Sequence, residues 1–441
     1  MLTFFLLLTA GFGLYMAWTI GANDVANSMA DAVGSKACTI KQAVIAAGIC
    51  EFAGAVLVGA HVTDTVRKGI VKPAVLTSMP GVSAEEAAAI IVLIMMSALL
   101  SAALWLHLAT FFGVPVSTTH SIVGAIAGCG IVAAGMSAVN WPKMGQIVAS
   151  WFISPVAGGI IGFLIFILIS KLILQHFRPA QVATKYAPFL IFFTFFIVSS
   201  AIVFKGLKHI IAEENIAWLT GKAGLLLSAL IGAAAALFSR WYLGRKLMKY
   251  FRRDLIVQLE RVEKVFAPLV FITSCTVAFA HGANDVANSV GPLAAVVEIF
   301  RTGTVCMKVP VPVWVLMLGG GGIVVGLGMY GYRVMRTVGE KITKITPSRG
   351  LAADIAAMTT VLACSRLKLP VSTTHTLVGS IMGVALARGI GAVDKDVARK
   401  IFGSWLITVP VAALFAIIIF LLGRWLLFDT LTGLIIGINA G

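Results

Sequence analysis

Two polar motifs, each present twice, are the residues of this chain best suited to binding ions. The sequence Gly-Ala-Asn-Asp-Val-Ala-Asn-Ser fills residues 21–28 and recurs unchanged at residues 282–289, each time after an apolar run. Residues three apart share a helix face, so each copy can present a carboxylate together with amide oxygens, which are hard ligands for cations. Helix capping or interhelical hydrogen bonding is the alternative use of such residues, and the exact repetition favours the cation site. We predict Na⁺ sites at Asn23, Asp24, Asn27, Asn284, Asp285 and Asn288.

Within these motifs, Gly21 and Gly282 are predicted to break the helix and expose backbone carbonyls as further ligands.

The second motif, Pro-Val-Ser-Thr-Thr-His, fills residues 115–120 and 370–375. Proline followed by hydroxyl residues is typical of a helix start. The first turn of a half-helix that begins inside the membrane presents unpaired N–H groups and a partial positive charge to the space in front of it. Such a helix start can bind phosphate or sulfate oxygens. An ordinary helix start at the membrane surface is the alternative. We predict an anion site, here phosphate, at Ser117, Thr118, Thr119, Ser372, Thr373 and Thr374.

Four further titratable residues are candidates for function. Glu51 lies in the middle of an apolar run and has no acidic counterpart in the other half of the chain, and Asp354 begins another run. A carboxylate in a bilayer costs roughly 3 kcal/mol and therefore indicates function. His120 and His375 close the hydroxyl motifs, where each could carry a proton, contact the substrate or simply bond a neighbouring carbonyl.

The composition shows which elements must position these residues. The 441 residues are 59% hydrophobic and only 12% charged, with a mean hydropathy of +0.99, whereas soluble proteins carry about a quarter charged residues. A helical span needs roughly 20 apolar residues, and about 12 segments qualify. The predicted spans are 2–20, 40–60, 87–111, 116–135, 146–174, 187–204, 218–238, 265–281, 309–331, 352–365, 371–387 and 401–427. The chain is thus predicted to be an all-α polytopic membrane protein whose first span is retained.

The repeated motifs indicate an internal duplication. Both motifs occur in the same order in each half, and a third match, Ser-Trp followed by a proline, begins at Ser150 and at Ser404. We predict a first repeat at 1–175, a two-span insert with a basic loop at 176–260 and a second repeat at 261–441. Each repeat has an odd number of spans, and two further spans lie between the repeats. The second repeat therefore crosses the membrane in the opposite orientation to the first, which predicts inverted repeats with discontinuous helices.

Basic residues support this orientation. The formal charge is +16, from 34 Lys+Arg and 18 Asp+Glu. Of the 34 basic residues, 22 fall in segments that alternation places in the cytoplasm: 21–41, 171–186, 239–264, 333–349 and 388–400. Both termini are then outside the cell membrane. No segment interleaves aromatic and basic residues, so a nucleic-acid partner is not expected. The six cysteines lie singly, without zinc-site spacing, and no cofactor is expected.

With its paired GANDVANS and PVSTTH motifs, the chain resembles the inorganic phosphate transporter family, whose members use Na⁺ or H⁺. The similarity extends over essentially the whole chain, including ANDVANSMADAVGSKACTIKQAVIAAGICEFAG, VTDTVRKGI and WLITVPVAALFA. The resemblance implies a homodimer of inverted repeats, a phosphate site between the PVSTTH elements, cation sites at the Asn-Asp motifs and a functional carboxylate at Glu51. Eukaryotic members have a Glu where Asp354 stands, and their long hydrophilic central loop is absent here.

The predicted function is therefore phosphate import by symport with Na⁺, through alternating access at a site near the membrane midplane. H⁺ coupling and metal-phosphate or sulfate cargo are alternatives. An intramembrane hydrolase using Ser117, His120 and Asp24 is a different class, but Ser and His are poorly spaced for it and a catalytic set need not be duplicated. A channel fits the predicted inverted halves less well. The expected partners are phosphate, Na⁺, the lipid bilayer and a second copy of the chain.

Overall fold

The computed structural model describes residues 1–59, 70–72, 75, 77–206, 221–305, 311–366 and 371–440. In these ranges the chain is helical; it forms no β-strand, only one isolated bridge between Val71 and Val139. The predicted all-α class is confirmed. Pro370, which the sequence places before the second hydroxyl run, lies outside the described residues.

The main helices are, in chain order, α1 (Leu2–Ile20), α2 (Ala30–Gly34), α3 (Ile40–Val58), α4 (Ala84–Phe111), α5 (Thr118–Ala134), α6 (Trp141–Ile169), α7 (Pro179–Ala201), α8 (Lys222–Leu247), α9 (Leu255–Asp285), α10 (Ala287–Thr302), α11 (Val313–Arg336), α12 (Pro347–Arg366), α13 (Thr373–Leu386) and α14 (Lys395–Ala440). Wide π-helical turns follow α1, α6, α7 and α11, at Gly21–Val25, Ser170–Leu174, Ile202–Gly206 and Thr337–Lys341.

Nine helical stretches among the described residues are long and apolar enough to cross a bilayer. The two helices that begin in the hydroxyl motifs are too short to do so alone, because α5 has 17 residues and α13 has 14. Two predicted spans, 265–281 and 401–427, are parts of longer helices, α9 with 31 residues and α14 with 46. The count of about 12 spans stays a prediction.

Local sequence signals explain several helix starts. Thr39 and Gln42 form a reciprocal capping box at the start of α3, in which the Gln42 amide donates to Thr39 Oγ1 at 3.3 Å and the Thr39 amide donates to Gln42 Oε1 at 2.9 Å. Ser83 and Glu86 form the same arrangement at the start of α4. Such pairs satisfy amide groups that a helix start leaves without intrahelical partners. Helix α4 is the most deeply buried of the spans, with 89% of its apolar window inside the protein.

The short hydroxyl-motif helices pack against helices of the opposite half of the chain. Helix α5 lies against α14, and α13 lies against α6. Along the second contact, Gly379 faces Pro155 and Gly383 faces Gly159, so the two backbones approach closely. Small residues allow such close helix pairing in membranes. The two halves are therefore interlocked, while their inverted orientation and the boundaries 1–175, 176–260 and 261–441 stay predictions.

The predicted helix breaks at Gly21 and Gly282 are wrong. Gly21 has helical dihedral angles and begins a π-helical turn that continues α1, and Gly282 lies inside α9. Both glycines instead permit close packing: a Cβ atom at Gly21 would clash with the carbonyl oxygen of Ile323, and one at Gly282 with that of Glu51. The helices are interrupted further along the chain, at Met29 directly after the first motif and at Val286 within the second.

Candidate functional site

The acidic motif of each half meets the hydroxyl motif of the other half. Asn27 Nδ2 donates to Thr374 Oγ1 at 3.1 Å, and the Thr374 hydroxyl also donates to the Asp24 carboxylate. On the opposite side, Asn288 Nδ2 donates to Thr119 Oγ1 at 3.3 Å. These contacts join positions that are distant in sequence, and they bring the predicted cation and anion residues into one site.

Both hydroxyl motifs begin helices where the sequence predicts helix starts. The Ser117 hydroxyl accepts a hydrogen bond from the backbone amide of His120 at 3.3 Å, and Ser372 accepts one from His375 at 3.2 Å. These serines are N-caps, so the helices α5 and α13 direct their positive ends toward the acidic motifs. The buried Thr118 Oγ1 has no hydrogen-bond partner in the described part of the chain.

A histidine that the sequence reasoning missed lies at the centre of the acidic residues. His281 Nε2 is 2.7 Å from Asp285 Oδ2 and 3.5 Å from Asp24 Oδ2, and its Nδ1 is 3.0 Å from Glu51 Oε1. All four side chains are at most 4% exposed. One imidazole thus bridges three carboxylates from α3, α9 and the turn after α1.

This cluster has more negative than positive charge. Three carboxylates surround a single imidazole, which carries at most one positive charge when protonated. Buried charges require compensation by pairing or by bound ions, because the interior solvates them poorly. Ligand atoms of Asp24, His281 and Asp285 lie within 4.8 Å of one another and could hold one cation together. Glu51, predicted to be functional, is therefore placed beside the predicted cation residues.

The two asparagine side chains of the first acidic motif, Asn23 and Asn27, have different hydrogen-bond partners. Asn23 Nδ2 donates to Thr110 Oγ1 at 2.9 Å and to the Val114 carbonyl at 3.0 Å, while its Oδ1 accepts from the Val116 amide at 3.0 Å. Asn23 thus fixes the backbone on both sides of Pro115. By contrast, the buried Asn27 Oδ1 has no hydrogen-bond partner among the described residues and is available to a ligand.

The equivalent residues of the second motif lie close to Asp285. Asn284 Nδ2 donates to Asp285 Oδ1 at 3.1 Å, and the Thr373 hydroxyl donates to Asp285 Oδ2 at 3.2 Å. Asn288 Nδ2 is 3.5 Å from Asp285 Oδ1. The Asp285 carboxylate is therefore surrounded by three polar donors, two from its own motif and one from the hydroxyl motif.

Asp354 belongs to a separate buried cluster. Its Oδ2 accepts hydrogen bonds from Thr273 Oγ1 at 2.6 Å and from Ser274 Oγ at 2.9 Å. Asp31, which the sequence reasoning also missed, lies beside it, and both carboxylates are fully buried. Thr273 precedes His281 by eight residues on α9, about 12 Å along the helix axis. Asp354 is thus placed on the same helix interface as the central site but outside it.

The two motif histidines face each other behind the hydroxyl residues. The His120 and His375 rings are 4.5 Å apart and perpendicular. Each packs against a tryptophan of its own half of the chain: His120 lies 4.4 Å from Trp151, and His375 stacks 3.7 Å from Trp405. Trp405 Nε1 donates to the Pro115 carbonyl at 3.2 Å. These contacts tie the two hydroxyl motifs together.

A small cavity adjoins the central site. Its polar wall is formed by residues of the first acidic motif, of α9 and of the second hydroxyl motif: Asp24, Asn27, Ser28, Thr276, His281 and Thr373. The rest of the wall is largely apolar and comes mainly from α9, α12 and α13. A dry wall beside charged groups strengthens their interaction with any bound ion.

Buried charged groups enclosed between two interlocked halves of a helical membrane protein are typical of the transporter class. Comparison with known families identifies which one: a model of the phosphate transporter family matches residues 20–416, and the chain belongs to that family. The prediction of the family from the repeated motifs is confirmed.

The names of individual relatives agree with this family. A protein of Thermococcus kodakarensis that carries the name phosphate permease is 45% identical over 415 residues, covering 94% of this chain and 97% of the relative. The chloroplastic inorganic phosphate transporter 2-1 of Arabidopsis thaliana is 41% identical over 427 residues, covering 92% of this chain and 70% of the relative. A solved structure described as the sodium-dependent phosphate transporter matches with a TM-score of 0.78 and 40% identity, covering 96% of this chain and 99% of that one.

The chain is therefore an integral membrane transporter of phosphate and not an enzyme. The hydrolase alternative fails on geometry as well as on family, because the Ser117 hydroxyl caps a helix by accepting from the His120 backbone amide. His120 thus bonds Ser117 through its main chain, whereas a general base would need its imidazole there.

Proposed function

We propose that this chain imports phosphate into the cell by symport with Na⁺. Transport proceeds by alternating access at the site where the acidic and hydroxyl motifs meet. The protein works in the plasma membrane as a homodimer, with both termini outside. Each chain holds its own complete site.

One observation carries this proposal: the start of the half-helix α13 donates hydrogen bonds to two buried carboxylates, from Thr374 to Asp24 and from Thr373 to Asp285. His281 links these two carboxylates to Glu51, and the start of α5 reaches the second acidic motif through Thr119 and Asn288. The helix ends attract an anion, and the carboxylates repel it, with energies that rise as the local dielectric falls. Cations between the two groups remove the repulsion. Phosphate and cations therefore bind as a set, which is the thermodynamic requirement for coupling.

Each ion has identifiable ligands. One Na⁺ binds the Asp24 carboxylate and Asn27 Oδ1, which has no partner among the described residues. A second binds the Asp285 carboxylate, which lies 3.5 Å from the side-chain amide of Asn288. Oxygen ligands of this kind suit hard cations. Phosphate receives hydrogen bonds from the backbone amides of both helix starts and from the Thr118 hydroxyl, which does not donate to a carboxylate.

Sodium is the proposed coupling ion for two reasons. The ligands are mostly carboxylate and amide oxygens, and the matching solved structure is described as sodium-dependent. H⁺ remains the alternative coupling ion, since a proton could be carried by the carboxylates around His281.

Divalent metal-phosphate is a second candidate cargo, favoured by His281. Two carboxylate oxygens and an imidazole nitrogen within 4.8 Å of one another form a ligand set that also suits transition metals. In this case the metal enters with phosphate as a neutral complex, and Na⁺ adds nothing to the rate.

Uptake of radiolabelled phosphate into proteoliposomes distinguishes these functions. An inward Na⁺ gradient at equal pH on both sides should drive accumulation, while a pH gradient without Na⁺ should not. Accumulation under the pH gradient alone would establish H⁺ coupling, and a requirement for Mg²⁺ or Mn²⁺ without Na⁺ would establish metal-phosphate cargo. If neither gradient drives uptake, the symport proposal is wrong.

A further inference from the structure

A long apolar cleft lies on the outer side of the short helix α13. It runs between α6 and α14, with α13 as its floor, and has a volume of about 990 Å³. The side chains along its two rims include Val156, Ile160 and Leu406, which are between 55% and 69% exposed. Trp151, His375 and Trp405 also line it. Nothing else in the described chain fills this space.

The cleft is long enough to cross one leaflet of a membrane. Its lining on α6 extends from Trp151 to Leu164, thirteen residues, or about 20 Å along the axis. The hydrocarbon core of a bilayer is about 30 Å thick, so one leaflet contributes about 15 Å. Trp151 lies ten residues inside the start of α6, about 15 Å along the helix and hence near the midplane if α6 begins at the membrane surface. The other end of the cleft is then at the membrane surface.

That surface end carries a lysine. Lys395, Ile390 and Val393 line it, at the start of α14. The two flanking aspartates do not line the cleft: Asp394 Oδ1 caps the start of α14 by accepting the Asp396 and Val397 amides, and Asp396 pairs with Arg399 at 3.6 Å. Lys395 is therefore the charged group that the cleft presents at the interface.

We propose that the cleft binds an anionic phospholipid, with an acyl chain between α6 and α14 and the lipid phosphate beside Lys395. The apolar walls exclude a polar occupant, and the single lysine selects a negative headgroup. The bound chain lies against α13, whose first turn contains Thr373 and Thr374 of the ion site. This lipid site is independent of the coupling ion proposed above.

Native mass spectrometry of delipidated protein, supplied with phosphatidylglycerol or phosphatidylcholine, tests the site. Lys395→Gln should lower phosphatidylglycerol occupancy about fivefold, because one lysine near an anionic lipid contributes about 1 kcal/mol. Occupancy by phosphatidylcholine should not change. Lys400→Gln is the matched control, because Lys400 lies in the same basic segment but outside the cleft, and it should behave as the parent protein.

Ile160→Trp fills the middle of the cleft and should abolish binding of both lipids. Ile153→Trp is its control, on the same helix and similarly exposed but not part of the lining. Equal lipid retention by the two tryptophan variants would overturn the proposal. Loss of a dimer in Ile160→Trp with lipid binding unchanged would also overturn it, since a second copy would then cover this face. Equal loss of both lipids in Lys395→Gln would contradict the charge selection.

Fluorescence quenching by a brominated lipid tests the position of the acyl chain in the cleft. Phosphatidylglycerol brominated near the chain end should quench the fluorescence of Trp151 at the deep end of the cleft, so Trp151→Phe should reduce the total quenching. Trp105→Phe is the control, because Trp105 is buried on α4 and bonds Thr408. Unchanged quenching in Trp151→Phe would contradict the proposed position of the chain.

Discussion

The two copies of the acidic motif have identical sequences and different surroundings. The first copy follows Ile20 and begins with a π-helical turn, whereas the second follows His281, ends the long helix α9 and begins α10. His281 joins the second copy directly to Glu51, and through the same ring it reaches Asp24 of the first copy. The duplicated sequence thus forms a site that is not symmetric.

The first asparagine of each copy shows the same difference. Asn23 makes three hydrogen bonds that fix the turn around Pro115, while Asn284 makes one to its neighbour Asp285. The identity of a residue therefore does not determine whether it supports the backbone or the ion. Its role depends on which residues of other helices lie beside it. Each of the following predictions changes a residue that differs in surroundings between the two copies.

The largest effect is expected from removing either motif carboxylate. Asp24→Asn and Asp285→Asn should each raise the Na⁺ concentration for half-maximal phosphate uptake about a hundredfold, because a hydrogen bond or contact to a charged group contributes about 1.5–3 kcal/mol. Sodium titration of uptake in proteoliposomes measures this. Asp396→Asn is the control, since Asp396 is exposed and pairs only with Arg399. An unchanged sodium titration would remove that carboxylate from the cation site.

The next largest effect separates the two asparagines. Asn23→Ala should lower the free energy of unfolding by about 2 kcal/mol, because it leaves buried backbone groups without partners, whereas Asn284→Ala should lower it by less than about 1 kcal/mol. Reversible unfolding in detergent micelles measures both. Equal losses of stability in the two variants would contradict the assignment of Asn23 to the backbone.

A smaller effect is expected at the histidine that distinguishes the copies. His281→Gln retains a hydrogen-bonding side chain but loses the ring that bridges Glu51 and Asp285, and the maximal rate of phosphate uptake should fall about tenfold, or 1.4 kcal/mol. His107→Gln is the control: His107 bonds Tyr15 Oη at 2.7 Å, outside the site. A parent-like rate in His281→Gln would show that the bridge has no part in transport.

Much of the fold follows from the sequence. The apolar runs predict the long helices, and the proline and hydroxyl residues predict the starts of α5 and α13 at Thr118 and Thr373. The prediction that two glycines break helices is wrong, because a glycine that lets two helices pack closely looks the same in sequence as one that breaks a helix. Gly21 and Gly282 are of the first kind.

The candidate site is predictable only in part. Comparison of the two halves selects residues that are repeated, and so it overlooks His281, whose counterpart is Ile20. The sequence does distinguish His281, because an ionisable residue precedes only one of the two identical motifs. Asp31 was missed for another reason, since its relation to Asp354 depends on how α2 packs against α12.

The central claim is that phosphate and Na⁺ bind as one set, and calorimetric titration of the purified protein tests it most directly. Na⁺ in place of choline should lower the phosphate dissociation constant, and saturating phosphate should lower that of Na⁺ by the same factor, as linkage requires. Asp24→Asn and Asp285→Asn should reduce this factor toward one. A phosphate dissociation constant that is the same in Na⁺ and in choline would contradict the account.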